Sequence, residues 1–283
     1  MAKPRWTAFP HASKDYDYAG AALAEAWPRL HRGDCEPFPD AAGLKALIDA
    51  APKLKPKQSL EEAAEILQDA WRAYHRGDFA EAVEKGLSVG LLGTNVANKA
   101  TNIYATYLEE KDAAKLELFQ ASAARAEELQ AAAKGLANAH YLHAQALGRY
   151  SQGISIGKAL AQGLAGKVRA SLEAALKCAP KHADAHIALG TYHAEIINKV
   201  GGMIGGLTYG ASKDDGVKHF ETAVKLNPDS AVARIEYANG LVMMFGNSKM
   251  KQAVALYTEA ANSKPADAME RLDVELAKEE LED

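Results

Sequence analysis

The chain has 283 residues, of which 48% are hydrophobic, so it can bury the core of one large domain, two small ones or a helical array. Its formal net charge is −4 at pH 7, which gives no electrostatic reason to expect nucleic acid as a partner. Alanine is abundant and runs of β-branched residues are rare, which favours an all-α protein.

The cysteines and the hydropathy of the sequence exclude further classes of protein. The two cysteines, Cys35 and Cys178, lie far apart in the sequence and predict neither a disulfide framework nor a metal site. The N-terminal stretch lacks the uninterrupted apolar run of a secretory leader, and no stretch is apolar and long enough to span a bilayer. We therefore expect a cytoplasmic protein, or a periplasmic one if a leader has been removed, without a cofactor.

The N-terminal third predicts an irregular arm over residues 1–16 and two degenerate helical hairpins over residues 17–92. The stretch AWPRLHRGD at Ala26 recurs as AWRAYHRGD at Ala70, and such repetition indicates related helix-turn-helix units. HRGDCEPFP is expected as the turn of the first unit. Ser59 with Glu62 forms a capping box where a later helix begins. A further helix pair is predicted over residues 93–135.

The clearest internal repeat lies in residues 136–265, where three second helices end alike as LEAALKCAP, FETAVKLNP and YTEAANSKP. Small alanines at matching positions let two helices approach closely, and proline ends each hairpin. The matching positions are Leu172, Phe220 and Tyr257, then Ala175, Ala223 and Ala260, then Pro180, Pro228 and Pro265. A hairpin with one apolar face must stack on copies of itself. Residues 266–283 then predict a capping helix with an acidic, solvated tail.

Two of these repeats are lengthened by glycine-rich inserts, SQGISIGKALAQGLAGK and KVGGMIGGLTYGASK. Equivalent segments of neighbouring repeats emerge on the same edge, so the two inserts are expected side by side. They are either longer helices with tight glycine contacts or a paired wall or lid over a groove. GISIGKA has one residue too few between its glycines for a phosphate-binding loop and lacks the following Ser or Thr.

Histidines at helical spacing raise the question of a zinc site, because they place imidazoles on one helix face. They are His140 and His143, and then His182, His186 and His193. No HExxH arrangement accompanies them, and His140 and His186 hold a repeat position usually filled by a packing aromatic residue. We expect packed or hydrogen-bonded histidines and no metal. Without a nucleophile elbow or an acid pair at a fixed spacing, the sequence predicts no enzymatic activity.

The pattern of residues 137–265 resembles the tetratricopeptide repeat (TPR), through Leu189-Gly190 in a first helix and the large-x-x-Ala…Pro run of the second helices. Within that family the LTYGASK insert and the ARIEYANGL helix are most similar to the T component of tripartite (TRAP) uptake systems. Proteins of that bacterial branch are periplasmic and thought to partner a solute-binding protein. The regulator-of-microtubule-dynamics group is similar more distantly.

The resemblance implies an all-α, right-handed solenoid that binds a partner in a concave groove lined by its first helices. The groove positions that it implies are Asn138, Tyr141, Gln145, Arg149, Asp184, Ile187, Thr191, Glu195, Ile235 and Asn239, together with Tyr209 of the second insert. Ile187 and Ile235 stand where chaperone-type members carry the lysine and asparagine of a carboxylate clamp, so no such clamp is expected.

Two functions stay open from the sequence. One is a scaffold that docks an unidentified partner protein or peptide in the groove. The other is a small-ligand protein related to the TRAP T component, with the inserts shaping an enclosed pocket or pore for an amphiphilic molecule. Self-association into a homo-oligomer is compatible with both, since solenoid ends and grooves often pair.

Overall fold

The structure is a computed structural model that describes residues 6–282. Residues 1–5 of the predicted arm and Asp283 of the acidic tail lie outside the described residues. From Trp6 to Glu282 the chain forms fourteen α-helices and no β-strand. The helices are α1 (Ala22–Leu30), α2 (Ala41–Ala50), α3 (Leu60–Arg76), α4 (Phe79–Ser88), α5 (Thr94–Tyr107), α6 (Asp112–Ala132), α7 (Ala137–Gln152), α8 (Ile156–Ala161), α9 (Leu164–Cys178), α10 (Ala183–Tyr209), α11 (Lys213–Leu226), α12 (Ala231–Phe245), α13 (Met250–Ala261) and α14 (Ala268–Glu282).

Helix ends follow local sequence chemistry. The Ser59 side chain accepts a hydrogen bond from the Glu62 backbone N–H, as the predicted capping box requires, and Ser230 caps α12 in the same way. Gly77 ends α3 with a φ of 92°, a left-handed conformation that glycine adopts without steric cost. These caps satisfy backbone groups that a helix end leaves unpaired.

Ten of the helices form five hairpins that stack in chain order. The pairs are α3–α4, α5–α6, α7–α9, α10–α11 and α12–α13, and each pair packs against the next. The alanines Ala175, Ala223 and Ala260 are fully buried, as expected for positions where two helices approach closely. The stacking confirms the predicted all-α solenoid of helix-turn-helix units.

The segment between α1 and α2, expected to be a turn, is a loop in which His31, Gly33 and Asp34 are buried whereas Cys35 is exposed. Asp34 in this loop accepts a hydrogen bond from the Lys99 ammonium, and both side chains are almost fully buried. The Glu36 carboxylate accepts hydrogen bonds from Asn95 and Asn138, at 3.1 and 2.5 Å. The loop lies inside the solenoid because α5 and α7 supply the donors that its buried carboxyl groups need.

The last helix does more than cover the final hairpin. α14 packs on α12 and α13 and also reaches α3. At its start, Asp267 lies 2.8 Å from Nδ1 of His75, and Glu270 forms two hydrogen bonds with the Arg29 guanidinium at 2.6 and 2.9 Å. The predicted cap therefore also joins the C-terminal end of the solenoid to its N-terminal elements. Between residues 6 and 282, no helix combines the length and the apolarity needed to cross a membrane.

Candidate functional site

A cavity of about 390 Å³ lies along the first helices of four successive hairpins, α5, α7, α10 and α12. The short helix α8 and the far end of α10 also line it, as do Met269 and Asp273 of α14. Ile156 and Leu160 of α8 are 53% and 51% exposed, whereas Asp273 is only 2% exposed. We refer to the α8 side as the mouth of the cavity and to the α14 side as its floor.

The two glycine-rich inserts form the mouth. The first folds into α8, and the second continues α10 to Tyr209 after a kink at Gly201, whose φ of 80° and ψ of 159° are not helical. Arg169 and the Tyr192 hydroxyl donate to the Tyr209 carbonyl, at 2.8 and 3.0 Å, and so hold the end of α10. A Cβ at Gly201 would meet no atom within 4 Å, so this glycine allows the bend and does not serve a tight contact.

Apolar side chains form most of the cavity wall. They come from helices of consecutive repeats, so no single hairpin could build this surface. They include Ile103, Ala144, Ile187, Ala188, Ile196 and Val232. A mostly apolar lining with a few polar groups is typical of ligand sites.

One polar cluster on the wall joins three repeats. The Arg149 guanidinium of α7 lies 2.9 Å from Oε1 of Glu236 on α12, and the Thr191 hydroxyl of α10 donates to Oε2 of Glu236 at 3.0 Å. Burial opposes the charge of Arg149, but the neighbouring Glu236 carboxylate raises its pKa. Because the pair is partly buried and mutually satisfied, it fixes the relative positions of α7, α10 and α12.

Asp273 is the most enclosed polar group on the floor. Its Oδ1 accepts a hydrogen bond of 2.5 Å from the Tyr107 hydroxyl, whereas its Oδ2 is buried without a partner among the described residues. Burial, together with the nearby Glu270, Asp267 and Asp184 carboxyl groups, raises the pKa of Asp273 to about 8. This side chain is therefore mostly neutral at pH 7.

Asp184 lines the cavity at the N-terminal end of α10, beside the buried Lys99–Asp34 pair. Its carboxyl group accepts no hydrogen bond from any residue in the described part of the chain. Burial raises the pKa of Asp184 to about 7, against the opposing effect of the Lys99 charge. Asp184 keeps contact with the cavity space although it lies deep in the fold.

Eight of the eleven predicted groove residues line this one cavity. They are Tyr141, Gln145, Arg149, Asp184, Ile187, Thr191, Glu195 and Tyr209. Asn138 does not line it; this buried residue donates hydrogen bonds to Glu36 and to the Asp34 carbonyl. Ile235 packs in a core with Val274 of α14, and Asn239 accepts a hydrogen bond from the Tyr257 hydroxyl.

Helices α5, α8 and α14 contribute lining residues that are not among the predicted groove positions. Lys99, Ile103 and Tyr107 of α5 follow one another at four-residue spacing, so a helical pattern could have placed them on one face. Met269 and Asp273 had no such signal, because only the long-range packing of α14 brings them to the cavity.

The histidines that raised the metal question are hydrogen-bonded or stacked. His182 Nε2 pairs with Asn138 Oδ1 at 2.8 Å, His143 Nδ1 pairs with the Ser171 hydroxyl at 2.8 Å, and His193 stacks on His219. Within residues 6–282, no group of three or more His, Cys, Asp or Glu side chains could hold a metal ion.

These features define the class of fold as a TPR-like array, in which stacked hairpins turn their first helices toward one inner face. Neither a family model nor a curated protein matches the chain. A thermophilic TPR protein of Thermus thermophilus has a similar solved structure, with 15% sequence identity and a TM-score of 0.55. The match covers 76% of this chain and 98% of that chain. At this identity the likeness shows the fold alone.

Proposed function

We propose that this protein is a non-enzymatic, TPR-like binding protein that docks a segment of a partner protein at the cavity. The observation that carries the proposal is the convergence of side chains from four first helices on one cavity of about 390 Å³. Ligand sites in proteins typically have volumes of about 300–1,000 Å³. Apolar walls with a few polar groups favour binding of an apolar segment over a chemical reaction.

The surface next to the mouth supports a protein as the partner. Met203 and Leu207, on the part of α10 beyond the kink, are 80% and 86% exposed. Large apolar side chains clustered on a surface mark interaction sites, because leaving them in water is unfavourable. A partner that covered these residues would bring its chain to the mouth of the cavity.

A second candidate function is the binding of a small amphiphilic molecule, as the similarity to the TRAP T component implies. The observation that favours it is the shape of the cavity, with α14 at the floor and both glycine-rich inserts around the mouth. A site with a closed floor buries more of a small molecule than an open groove can.

Peptide selection on the immobilised full chain tests the first candidate. Peptides displayed on phage would be selected on the wild type and then titrated against two variants. Ala188→Trp places an indole at the cavity wall, and Ala121→Trp places one on the exposed face of α6 as the matched control. We expect the first variant to bind the selected peptides about tenfold or more weaker than the wild type does, and the control variant to bind them with unchanged affinity.

Peptide binding that is unchanged by Ala188→Trp would remove the cavity as the docking site. Native mass spectrometry of the chain purified from its own source then separates the remaining occupants. A small molecule released on denaturation supports the second candidate, and a dimer mass identifies a second copy of the chain as the occupant.

A further inference from the structure

The charged groups that line the cavity do not balance one another. Of the three lining cations, Lys199 pairs with Glu195 at 2.8 Å and Arg149 pairs with Glu236 at 2.9 Å. The third, Lys99, is neutralised by Asp34, which lies behind the cavity wall. Each cation therefore has a carboxylate of its own.

Two lining carboxyl groups are left after this pairing, Asp184 of α10 and Asp273 of α14. Neither forms an ion pair with any residue between Trp6 and Glu282. Within the described part of the chain, Oδ2 of Asp273 has no hydrogen-bonding partner, although the residue is only 2% exposed. An unpartnered buried polar oxygen is costly and is uncommon in folded proteins, so this oxygen favours a hydrogen-bond donor that enters the cavity.

The acids around this site reinforce one another. Glu270 of α14, Asp267 just before this helix and Asp184 of α10 all raise the pKa of Asp273, although Glu270 also pairs with Arg29 and Asp267 with His75. Among residues 6–282, the Asp273 carboxyl group accepts one hydrogen bond, from the neutral Tyr107 hydroxyl. A cation beside Asp273 would favour the ionised form of this carboxyl group, which is mostly neutral at pH 7, and would donate a hydrogen bond to its Oδ2.

We propose that the floor of the cavity is a site for a cationic nitrogen group, an ammonium or a guanidinium, carried on an apolar stem. The proposal rests on the proposed function and specifies what the cavity receives. The apolar walls between the mouth and the floor accommodate the stem, and the unpaired carboxyl groups accept hydrogen bonds from the nitrogen. Such a group could come from a lysine or arginine side chain of a docked partner, or from a free aliphatic amine.

Calorimetric titration of the full chain at pH 8 tests the charge preference with three probes of equal length. They are hexylamine, which is cationic, hexanol, which is neutral, and hexanoate, which is anionic. We expect hexylamine to bind about tenfold or more tighter than hexanol, because hydrogen bonds between charged groups are stronger than those between neutral groups. We expect hexanoate to bind most weakly.

Asp273→Asn and Asp184→Asn test the two carboxyl groups from different helices, so the test survives if one variant fails to fold. Each variant should bind hexylamine about tenfold or more weaker than the wild type does and should bind hexanol with nearly unchanged affinity. Asp214→Asn, an exposed acid in the first turn of α11, is the matched control and should change neither.

A capped leucyl-lysyl-leucine peptide and its norleucine counterpart separate the two sources of the cation. A preference for the lysine peptide points to a partner side chain, and binding of hexylamine alone points to a free amine. Equal binding of hexylamine and hexanol overturns the cation site, as does a preference for hexylamine that persists in both variants. The proposed function fails separately, if no probe binds and Ala188→Trp leaves every selected peptide unaffected.

Discussion

Three buried carboxyl groups give the interior of this solenoid an unusual acid–base character. Burial raises the pKa of Glu36 and of Asp184 to about 7 and that of Asp273 to about 8, and nearby acids contribute to the increase for all three. In the unfolded chain such groups titrate near pH 4. The folded protein therefore holds protons, between pH 4 and 8, that the unfolded chain has already released.

We predict that the free energy of unfolding falls as the pH rises from about 7 to 8, because the folded protein still binds protons that the unfolded chain has already released, and a rise in pH therefore favours the unfolded state. Histidines act in the opposite direction up to about pH 7, where the unfolded imidazoles lose most of their protons, since burial lowers the pKa of His31, His182 and His219 to about 4. Burial also lowers the pKa values of His143, His186 and His193. Urea unfolding at pH 7 and pH 8 therefore measures the slope that the carboxyl groups cause.

Asp273→Asn should flatten this slope, because the amide does not titrate. The groups that face Asp273 are the Tyr107 hydroxyl of α5, Asp184 of α10, Asp267 just before α14 and Glu270 within it. The Arg149–Glu236 pair acts on Tyr107. Asp214→Asn, on the exposed face of α11, should keep the slope of the wild type. An unchanged slope in the Asp273→Asn protein would contradict the neutral state of this carboxyl group.

At the scale of the helices, Phe220 shows how neighbouring hairpins fit together. Its ring is fully buried, lies 5.3 Å from the Tyr237 ring, and is flanked by Gly190 of α10 and Gly240 of α12. A Cβ at Gly190 would lie 2.7 Å from Cδ1 of Phe220, and one at Gly240 would lie closer still to the same ring. Glycine at these two positions lets three helices approach one aromatic side chain.

We predict that Gly190→Ala destabilises the fold by about 1–3 kcal/mol, because overpacking outweighs the better helix propensity of alanine. Gly148→Ala in α7 is the matched control, since a Cβ there meets no atom within 4 Å. The stability of the control variant should rise by up to about 1 kcal/mol, from helix propensity alone. Equilibrium urea unfolding compares the two, and a stabilised Gly190→Ala protein would disprove the close packing.

At the scale of the whole molecule, α14 turns an open array into a closed unit. Asp267 serves this closure twice, since its Oδ1 accepts from the Glu270 backbone N–H at the start of the helix while its Oδ2 pairs with His75 of α3. Residues separated by 192 positions are thereby joined in a fully buried contact. A simple repeat array has no such contact, because each repeat touches only its neighbours.

We predict that Asp267→Ala costs about 2–4 kcal/mol, the sum of a lost helix cap and an orphaned buried histidine. Ser59→Ala removes a cap that makes no long-range contact and should cost only about 1 kcal/mol. Urea unfolding measures both variants. Equal losses would show that the link between α14 and α3 contributes nothing to stability.

Much of the fold could be predicted because its signals are local. The capping box at Ser59, the prolines that end the hairpins, and the repeated alanines act within one or two helical turns. The same signals could place Tyr141, Arg149 and Ile187 on one face of the first helices. They could not show that α8 and the far end of α10 meet at the mouth of a single cavity. The length of an insert does not determine in which direction its chain packs.

The sequence by itself predicted an all-α array of stacked helix-turn-helix units, since helical periodicity is encoded over a few residues. Only the tertiary structure decided that the inner face of this array narrows to a cavity with Asp273 on its floor. The contacts that close the floor join residues far apart in the chain, such as Arg29 and Glu270, 241 positions apart. Side-chain periodicity carries no information about such pairs, because they form only when the whole stack sets the position of α14.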